Sequence, residues 1–355
     1  MGMNEREQLR CLLQLTDDAE IKRLFADAYQ EKLRHVGNKV FFRGLIELSN
    51  ICVKDCYYCG IRKSNLNVSR YLMEEEEIVE CALWAHQNRY GSIVLQSGER
   101  RDPLFADLIE RVVQTIKSRT DGKLGITLSL GEQNEEVYKR WFDAGAHRFL
   151  LRIETSSKNL YGKLHPPDHD FEKRKNCLLS LKKIGYQIGT GVMIGLPMQT
   201  IDDLVNDLFF FKEIDADMIG MGPYLVSNNT PLTKEFENSI MDNDEIYILS
   251  LKMIAVARLF LKDINIAATT ALQALKYFGR EEGLKCGANI IMPNITLNKY
   301  REQYQLYNNK PCLDENADIC KSCLSNRVSS IGEVIGYDEW GDSPHFSKTK
   351  KQQVS

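Results

Sequence analysis

The 355-residue sequence has no long apolar run and no strong excess of either charge, and it contains only 9 prolines. No stretch approaches the roughly 18 consecutive apolar residues that would indicate a membrane helix. The charged start, residues 1–7, has no apolar centre and does not predict a signal peptide. A net charge of −3 argues against a dedicated nucleic-acid-binding protein, whose domain would be basic. We therefore expect neither nucleic-acid nor membrane partners.

Cysteine, in contrast, is abundant, with 10 residues in the chain. In a sequence without an export signal, cysteines are more often metal ligands than disulfide partners, which predicts a reducing, cytoplasmic environment. Six of them form two groups. The first group is Cys52, Cys56 and Cys59, and the second is Cys312, Cys320 and Cys323.

Strand-like apolar runs alternate with amphipathic stretches of helical periodicity between residues 40 and about 293. Eight such repeats predict an α/β fold, a (β/α)8 barrel of the TIM type, with an open doubly wound sheet as the alternative. The predicted strands are 40–48, 92–96, 124–130, 148–154, 187–194, 217–224, 264–270 and 288–292. The predicted helices include 74–87, 104–118, 135–144, 171–184, 201–214 and 244–261. We expect an N-terminal helical cap at 1–39, the barrel at 40–297 and a C-terminal extension at 298–355.

The first cysteine group has the spacing C-x3-C-x2-C and directly follows the first predicted strand, at the barrel end where active sites lie. No histidine stands nearby to complete a zinc tetrahedron, although a fourth ligand from elsewhere in the chain would allow one. Three thiolates cannot fill a four-iron cluster, which takes four ligands, so one iron stays open to an outside ligand. The motif therefore favours a catalytic iron–sulfur cluster.

This motif on this loop resembles that of the radical S-adenosylmethionine (SAM) superfamily. The resemblance implies that the open iron of a [4Fe-4S] cluster binds the amino and carboxylate groups of SAM. One electron, from a donor such as a ferredoxin or flavodoxin, then cleaves SAM to a 5′-deoxyadenosyl radical. The protein's task is to orient SAM and exclude side reactions.

Further segments resemble the HydE-type maturases of [FeFe]-hydrogenase, over roughly residues 40–325. They are RGLIELSNIC, YYCGIR, IVLQSGE, TLSLGE, LLRIET, MIGLPMQTIDDLV, ATTAL, CGANIIMPN and YREQYQLY followed by C-x7-C-x2-C. This resemblance implies a small organometallic substrate, an iron–cysteine complex with carbonyl and cyanide ligands, and other hydrogenase maturases as partners. Methylornithine synthase and biotin synthase are the alternatives. The predicted inner strands 93–97, 124–130 and 148–154 lack the cysteines expected of biotin synthase.

The resemblance also implies roles for individual residues. Cys52, Cys56 and Cys59 would bind the catalytic cluster. Contacts to SAM are expected from Tyr58, Gly98, Glu99, Ser129, Glu154, Arg174, Gly191 and Gly195. The substrate cavity would be lined by Ser97, Thr127, Arg152, Thr269, Thr270, Met292, Tyr304 and Tyr307. We expect Arg152 to be buried and to bind an anionic group of the substrate, with a structural ion pair to Glu154 as the alternative.

The second cysteine group, Cys312, Cys320 and Cys323, is predicted to hold an auxiliary iron–sulfur cluster, [4Fe-4S] or [2Fe-2S]. A zinc site is the alternative. One residue departs from the family pattern, because Met198 stands where we expect a glycine after the fifth strand. This departure predicts an altered turn there and leaves room for a different substrate.

Overall fold

The computed structural model of the chain describes residues 3–228, 230–313 and 317–354, without the side chains of 318–320 and 350–354. The strands are β1 (Lys39–Ser49), β2 (Ser92–Ser97), β3 (Gly125–Ser129), β4 (Arg148–Leu150), β5 (Gln187–Thr190), β6 (Met193–Ile194), β7 (Met218–Ile219), β8 (Gly222–Pro223), β9 (Asn265–Ile266), β10 (Ile290–Ile291) and β11 (Val334–Ile335). The first helices are α1 (Glu5–Leu13), α2 (Asp18–His35), α3 (Glu75–Gln87), α4 (Pro103–Arg119), α5 (Glu135–Asp143), α6 (Lys158–Leu164), α7 (Phe171–Ile184) and α8 (Ile201–Glu213). The later helices are α9 (Pro231–Glu235), a 3-10 turn (Glu237–Ser239), α10 (Asn243–Leu261), α11 (Thr270–Leu275), α12 (Gly279–Lys285), α13 (Asn298–Arg301), α14 (Ala317–Ser330) and α15 (Pro344–Val354).

The barrel wall is a parallel sheet in the order β10-β1-β2-β3-β4-β5-β7-β9. Its two ends are joined by backbone hydrogen bonds of 2.9 Å, from Ala268 N to Ile290 O and from Asn289 N to Ile266 O. Helices cover the outer face, as parallel strands with crossover connections require. The predicted (β/α)8 barrel is confirmed.

The predicted helices are close to those observed, and 171–184 coincides with α7. The later strands are shorter than predicted, since β4 ends at Leu150 and β9 spans only Asn265–Ile266. Glu154 adopts a left-handed conformation with φ +66°, beyond the end of β4. The expectation that Thr269 and Thr270 lie on a strand is wrong, since Thr269 caps α11 and Thr270 begins it.

Residues from the C-terminal extension close the barrel at the N-terminal ends of its strands. β11 pairs in parallel with the start of β1, through Lys39 and Val334. The Trp340 ring packs on His147 with ring centroids 4.3 Å apart. Asp342 accepts a hydrogen bond of 2.9 Å from Arg148.

The N-terminal helices α1 and α2 pack against α10. A buried ion pair of 2.9 Å between Lys32 of α2 and Glu333 connects them to the C-terminal extension. In the described part of the chain, no helix combines the length and the apolar character needed to cross a membrane.

Candidate active site

The C-terminal ends of the barrel strands surround a cavity of about 360 Å³, within the range of small-molecule sites. Most of the predicted site residues line it. They are Cys52, Cys56, Tyr58, Cys59, Ser97, Gly98, Glu99, Ser129, Arg152, Glu154, Arg174, Thr269, Thr270, Met292, Tyr304 and Tyr307. The cysteine loop, strand ends from around the barrel and two tyrosines of the C-terminal extension therefore meet at one site.

Three of the residues predicted to contact SAM or the substrate do not line this cavity. Thr127 lies deeper in the barrel, where its hydroxyl accepts a 3.1 Å hydrogen bond from Arg148. The prediction that Thr127 lines the substrate cavity is therefore wrong. Gly191 packs so closely that a β-carbon would lie 2.0 Å from the Gly220 carbonyl oxygen. Gly195 has φ +76° and faces Ile246. Chain packing accounts for both glycines.

The cysteine loop after β1 is held from several sides. The Val53 amide donates to the Glu99 carbonyl at 2.9 Å, and the Glu99 amide points at Cys52 Sγ at 3.3 Å. The Asp55 amide donates to Nε2 of His169 at 3.0 Å. Because that nitrogen accepts, the His169 proton is on Nδ1, where it reaches Asp168 at 2.9 Å.

The three cysteines of the first group are free thiols that line the cavity together. Burial raises the pKa of Cys56 to about 12 and also raises the pKa of Cys52 and Cys59, so all three are thiols until iron displaces their protons. Among the described residues, no three His, Cys, Asp or Glu side chains converge on a single metal ion. A four-iron cluster does not need such convergence, since each cysteine binds a different iron.

The turn after β2 is built for close approach. A β-carbon on Gly98 would lie 2.4 Å from the Ile51 carbonyl oxygen, so only glycine fits against the cysteine loop there. Glu99, which follows, is 5% exposed and lines the cavity.

Glu99 belongs to a buried charge network that the sequence analysis missed. The second carboxylate of this network belongs to Glu132, which is 1% exposed and follows β3. Glu132 binds Lys54 at 3.1 Å, Arg174 at 3.1 Å and Arg101 at 2.8 Å. Glu99 in turn lies 2.5 Å from Arg101 and 3.5 Å from Arg174. Three cations thus face two carboxylates, which leaves one positive charge beside the cavity.

Glu132 stays ionised in this network. Burial opposes ionisation, but Arg174 and Lys54 hold the pKa of Glu132 below its ordinary value. The signal for Glu132 was present in the sequence, because Gly131–Glu132 after β3 repeats the Gly98–Glu99 pair after β2.

Arg152 forms an ion pair with Glu154, which the sequence analysis gave as the alternative to binding the substrate. Its Nη2 lies 2.9 Å from a Glu154 carboxylate oxygen and also donates to the Val192 carbonyl at 2.9 Å. The Arg152 side chain is 32% exposed, so the expectation of a buried arginine is wrong. The pair still lines the cavity, and Arg174 donates to the Arg152 carbonyl at 2.6 Å.

Tyrosines close the cavity on two sides. The Tyr58 hydroxyl is 3.3 Å from Nε2 of His165, a second residue that the sequence analysis missed. Tyr304 accepts at its hydroxyl from Gln96 at 3.3 Å. The Tyr304 carbonyl accepts from Lys310, which also forms a buried ion pair with Glu47 at 2.5 Å. This pair fixes the C-terminal extension over the barrel mouth.

The second cysteine group lies outside the cavity wall as far as the structure describes it. The Cys312 sulfur is 4.0 Å from Gln273 Nε2, and its carbonyl accepts from Arg301 at 3.1 Å. Cys323 lies on α14. Cys320 is on the same helix, but its side chain lies outside the described residues.

Comparison with known proteins identifies the class. The model of the radical SAM superfamily matches residues 46–211. The [FeFe] hydrogenase maturase subunit HydE of Thermotoga maritima is 46% identical over 97% of this chain and 95% of its own length. The 3-methylornithine synthase of Methanosarcina acetivorans is 29% identical over 80% of this chain and 78% of its own length.

Solved structures share the fold. A crystal structure of methylornithine synthase superimposes with a TM-score of 0.81 at 25% identity, covering 95% of both chains. The maturase HydG of Carboxydothermus hydrogenoformans gives a TM-score of 0.77 at 19% identity, covering 95% of this chain and 76% of its own.

The barrel, the cavity and the cysteine loop are those of a radical SAM enzyme. Within that superfamily, the chain belongs to the family of the [FeFe] hydrogenase maturase subunit HydE.

Proposed function

We propose that this enzyme reductively cleaves SAM and uses the resulting radical in the maturation of [FeFe]-hydrogenase. Its substrate would be an iron–cysteine complex with carbonyl and cyanide ligands, a precursor of the two-iron subcluster. One observation carries the proposal: the three cysteines of the first group line the same cavity as Glu99, Arg174 and Arg152. The 46% identity to a HydE maturase, across nearly the full length of both chains, supports the choice of pathway.

On the SAM side, Cys52, Cys56 and Cys59 would hold the [4Fe-4S] cluster, which would bind SAM and supply the electron for its reductive cleavage. The carboxylate of Glu99 suits the SAM ammonium, and the guanidinium of Arg174 suits its carboxylate. The extra positive charge of the surrounding network favours that carboxylate and the anionic cluster. Ser129, Tyr58 and Glu154 line the same wall and would orient the rest of the molecule.

On the substrate side, the cavity offers donors to an anionic complex. Arg152 supplies a guanidinium, and Thr269 and Thr270 supply hydroxyls. Tyr304 and Tyr307 would shield the reacting groups from water with their rings. Ser97 and Met292 complete this lining.

The second cysteine group would bind an auxiliary iron–sulfur cluster with a peripheral role. Its position outside the cavity wall supports that role for Cys312 and Cys323. We also propose a ferredoxin or flavodoxin as electron donor, other hydrogenase maturases as partners, and a cytoplasmic location. The reducing conditions that iron–sulfur clusters require support the location.

The proposal is tested by anaerobic reconstitution with iron and sulfide, followed by SAM and a reductant. The wild-type protein is expected to release 5′-deoxyadenosine, whereas Cys56→Ala releases none. Cys81→Ala is the matched control, since Cys81 lies on α3 and does not line the cavity. Addition of the iron–cysteine complex is expected to produce a new paramagnetic signal in EPR. Substantial 5′-deoxyadenosine from Cys56→Ala would contradict the cluster assignment.

An amino-acid isomerase is the second candidate, because methylornithine synthase has the same fold at a TM-score of 0.81. Release of 3-methylornithine from an amino-acid substrate, detected by mass spectrometry, would favour it. Unchanged EPR spectra with the iron–cysteine complex would support the same conclusion.

A further inference from the structure

Behind one wall of the cavity lies a buried arginine that the proposed function does not use. Arg280 of α12 is 2% exposed and does not line the cavity itself. Its Nη2 donates to the Thr270 hydroxyl oxygen at 3.3 Å. Thr270 does line the cavity, so the guanidinium reaches the site through that hydroxyl.

This guanidinium is incompletely satisfied. Within the described part of the chain, Nε and Nη1 of Arg280 are buried without a hydrogen-bond partner. The neighbouring Thr269 hydroxyl, which also lines the cavity, is buried and unpartnered in the same way. Buried polar groups are normally paired, and a buried cation without a counter-charge is costly. An anion in the adjoining cavity would offset that cost.

The hydrogen bond from Arg280 also fixes what Thr270 can do. A threonine hydroxyl has one proton, and its oxygen here already accepts from the guanidinium. The proton is therefore available for donation, and the side chain faces the cavity. A hydroxyl polarised by a cation in this way is a stronger donor to an anion than an isolated one.

The position of Arg280 is set by the helix that carries it. The next residue, Glu281, forms a buried ion pair with Arg327 of α14, with Nη2 and Oε2 2.7 Å apart. α12 is thereby held between the barrel and the helix of the second cysteine group. The backbone that carries Arg280 is thereby fixed beside Thr270, and the Arg280 side chain is buried.

We propose that Arg280 is a positioning residue, which presents the Thr270 hydroxyl as a hydrogen-bond donor to an anionic group of the substrate. The identity of that substrate rests on the proposed function, but the anion preference does not. The cyanide ligand and the cysteine carboxylate of the complex have the same acceptor chemistry. A complex prepared with cysteamine, which lacks the carboxylate, distinguishes them.

The test uses the reconstituted holoenzyme with SAM bound and azide as the probe. Azide is a small linear anion, and its infrared stretching band reports hydrogen bonding. We expect saturable binding to the wild-type enzyme. Arg280→Gln and Thr270→Val should each weaken azide binding by about tenfold, as loss of a hydrogen bond to a charged group implies. Both should move the band in the same direction.

Two further variants complete the design. The double variant should bind azide no more weakly than either single variant, because the two residues act as one unit. Lys285→Gln removes a cation from the same helix on the side that faces Tyr29 and should leave azide affinity unchanged. Should Arg280→Gln fail to fold, Thr270→Ser is expected to keep the wild-type affinity that Thr270→Val loses.

The inference is overturned if azide does not bind the wild-type enzyme, or if Arg280→Gln binds it with wild-type affinity and band position. Equal affinities of Thr270→Ser and Thr270→Val would also overturn it. Failure of the proposed function is a separate result. It would appear as absence of reaction of the wild-type enzyme with the iron–cysteine complex.

Discussion

The ammonium nitrogen of Lys54 lies 3.1 Å from both carboxylate oxygens of Glu132. Lys54 is on the loop between Cys52 and Cys56, whereas Glu132 follows β3. The pair therefore ties the cysteine loop to the strand ends that surround the cavity. Glu132 also supports Glu99 directly, since its amide donates to a Glu99 carboxylate oxygen at 3.0 Å.

Glu132→Gln is expected to weaken SAM binding and to destabilise the protein. The variant leaves Lys54, Arg174 and Arg101 with Glu99 as their remaining carboxylate in this network. Loss of one partner from a buried ion pair costs about 3 kcal/mol of unfolding free energy. We expect the KM for SAM to rise about tenfold, measured by 5′-deoxyadenosine release. Glu136→Gln on the exposed face of α5 is the control, and an unchanged KM in Glu132→Gln would show that the network is structural only.

Arg152→Lys tests the substrate side. Lysine keeps the charge but loses the planar fork that now spans Glu154 and the Val192 carbonyl. Turnover of the iron–cysteine complex should fall about tenfold or more, equivalent to about 1.4 kcal/mol, and substrate-free SAM cleavage should fall less. Arg89→Lys, on an exposed turn, is the control. Unchanged turnover would mean that Arg152 serves only as the partner of Glu154.

The barrel could be predicted from the sequence because its helices carry their own signals. α7, for instance, begins after Asp170, whose side chain caps the helix, and ends at Gly185 in a left-handed conformation. The C-terminal contacts could not be predicted in this way. β11 has two residues and no periodicity, and it pairs with a strand almost 300 positions earlier in the chain.

The site was predictable where a motif carries the chemistry and less so where chemistry depends on long-range contacts. The cysteine spacing located the cavity, and the resemblance supplied most of its lining. His165 was missed because it acts through Tyr58, a partner more than 100 residues away. Glu132 carried a local signal in its Gly-Glu pair, but its contact with Lys54 could not be predicted from the sequence. Thr127 was wrongly assigned to the cavity lining, because its hydroxyl accepts a hydrogen bond from the buried Arg148.

Met198→Gly should stabilise the protein. Met198 adopts φ +67°, the left-handed conformation that glycine reaches without steric cost, and its side chain is 36% exposed. Relief of the β-carbon clash is worth about 1 kcal/mol, measured as unfolding free energy in denaturant. Met198→Ala keeps the β-carbon and should show no such gain. Leu179→Gly, in the middle of α7, is the control and should lower the free energy of unfolding by about 1 kcal/mol. A loss of similar size in Met198→Gly would show that the backbone at Met198 is not strained.

Joint replacement of Cys312, Cys320 and Cys323 by alanine is expected to lower bound iron by about one cluster's worth. SAM cleavage should survive, because neither Cys312 nor Cys323 lines the cavity that holds the first group. Iron content and 5′-deoxyadenosine release of the reconstituted variant provide the two readouts. Complete loss of cleavage in a folded variant would contradict a peripheral role. Unchanged iron would contradict the auxiliary cluster itself.

The docking of α15 should weaken at alkaline pH through His345. The Nδ1 atom of His345 lies 3.3 Å from Asp263, and its Nε2 atom lies 2.6 Å from Asp215. Asp263 also binds Lys348, and Asp215 also binds Lys182. The two carboxylates raise the pKa of His345 to about 9. Histidine in the unfolded chain has a pKa of about 6.5, so this stabilisation is fully present below that pH and is lost as pH rises through about 9. The melting temperature of the wild-type protein should therefore fall between pH 7 and 10 by more than that of His345→Gln. His86→Gln, on α3, should retain the wild-type slope. Parallel pH profiles for the wild-type protein and His345→Gln would show that the two ion pairs do not contribute to stability.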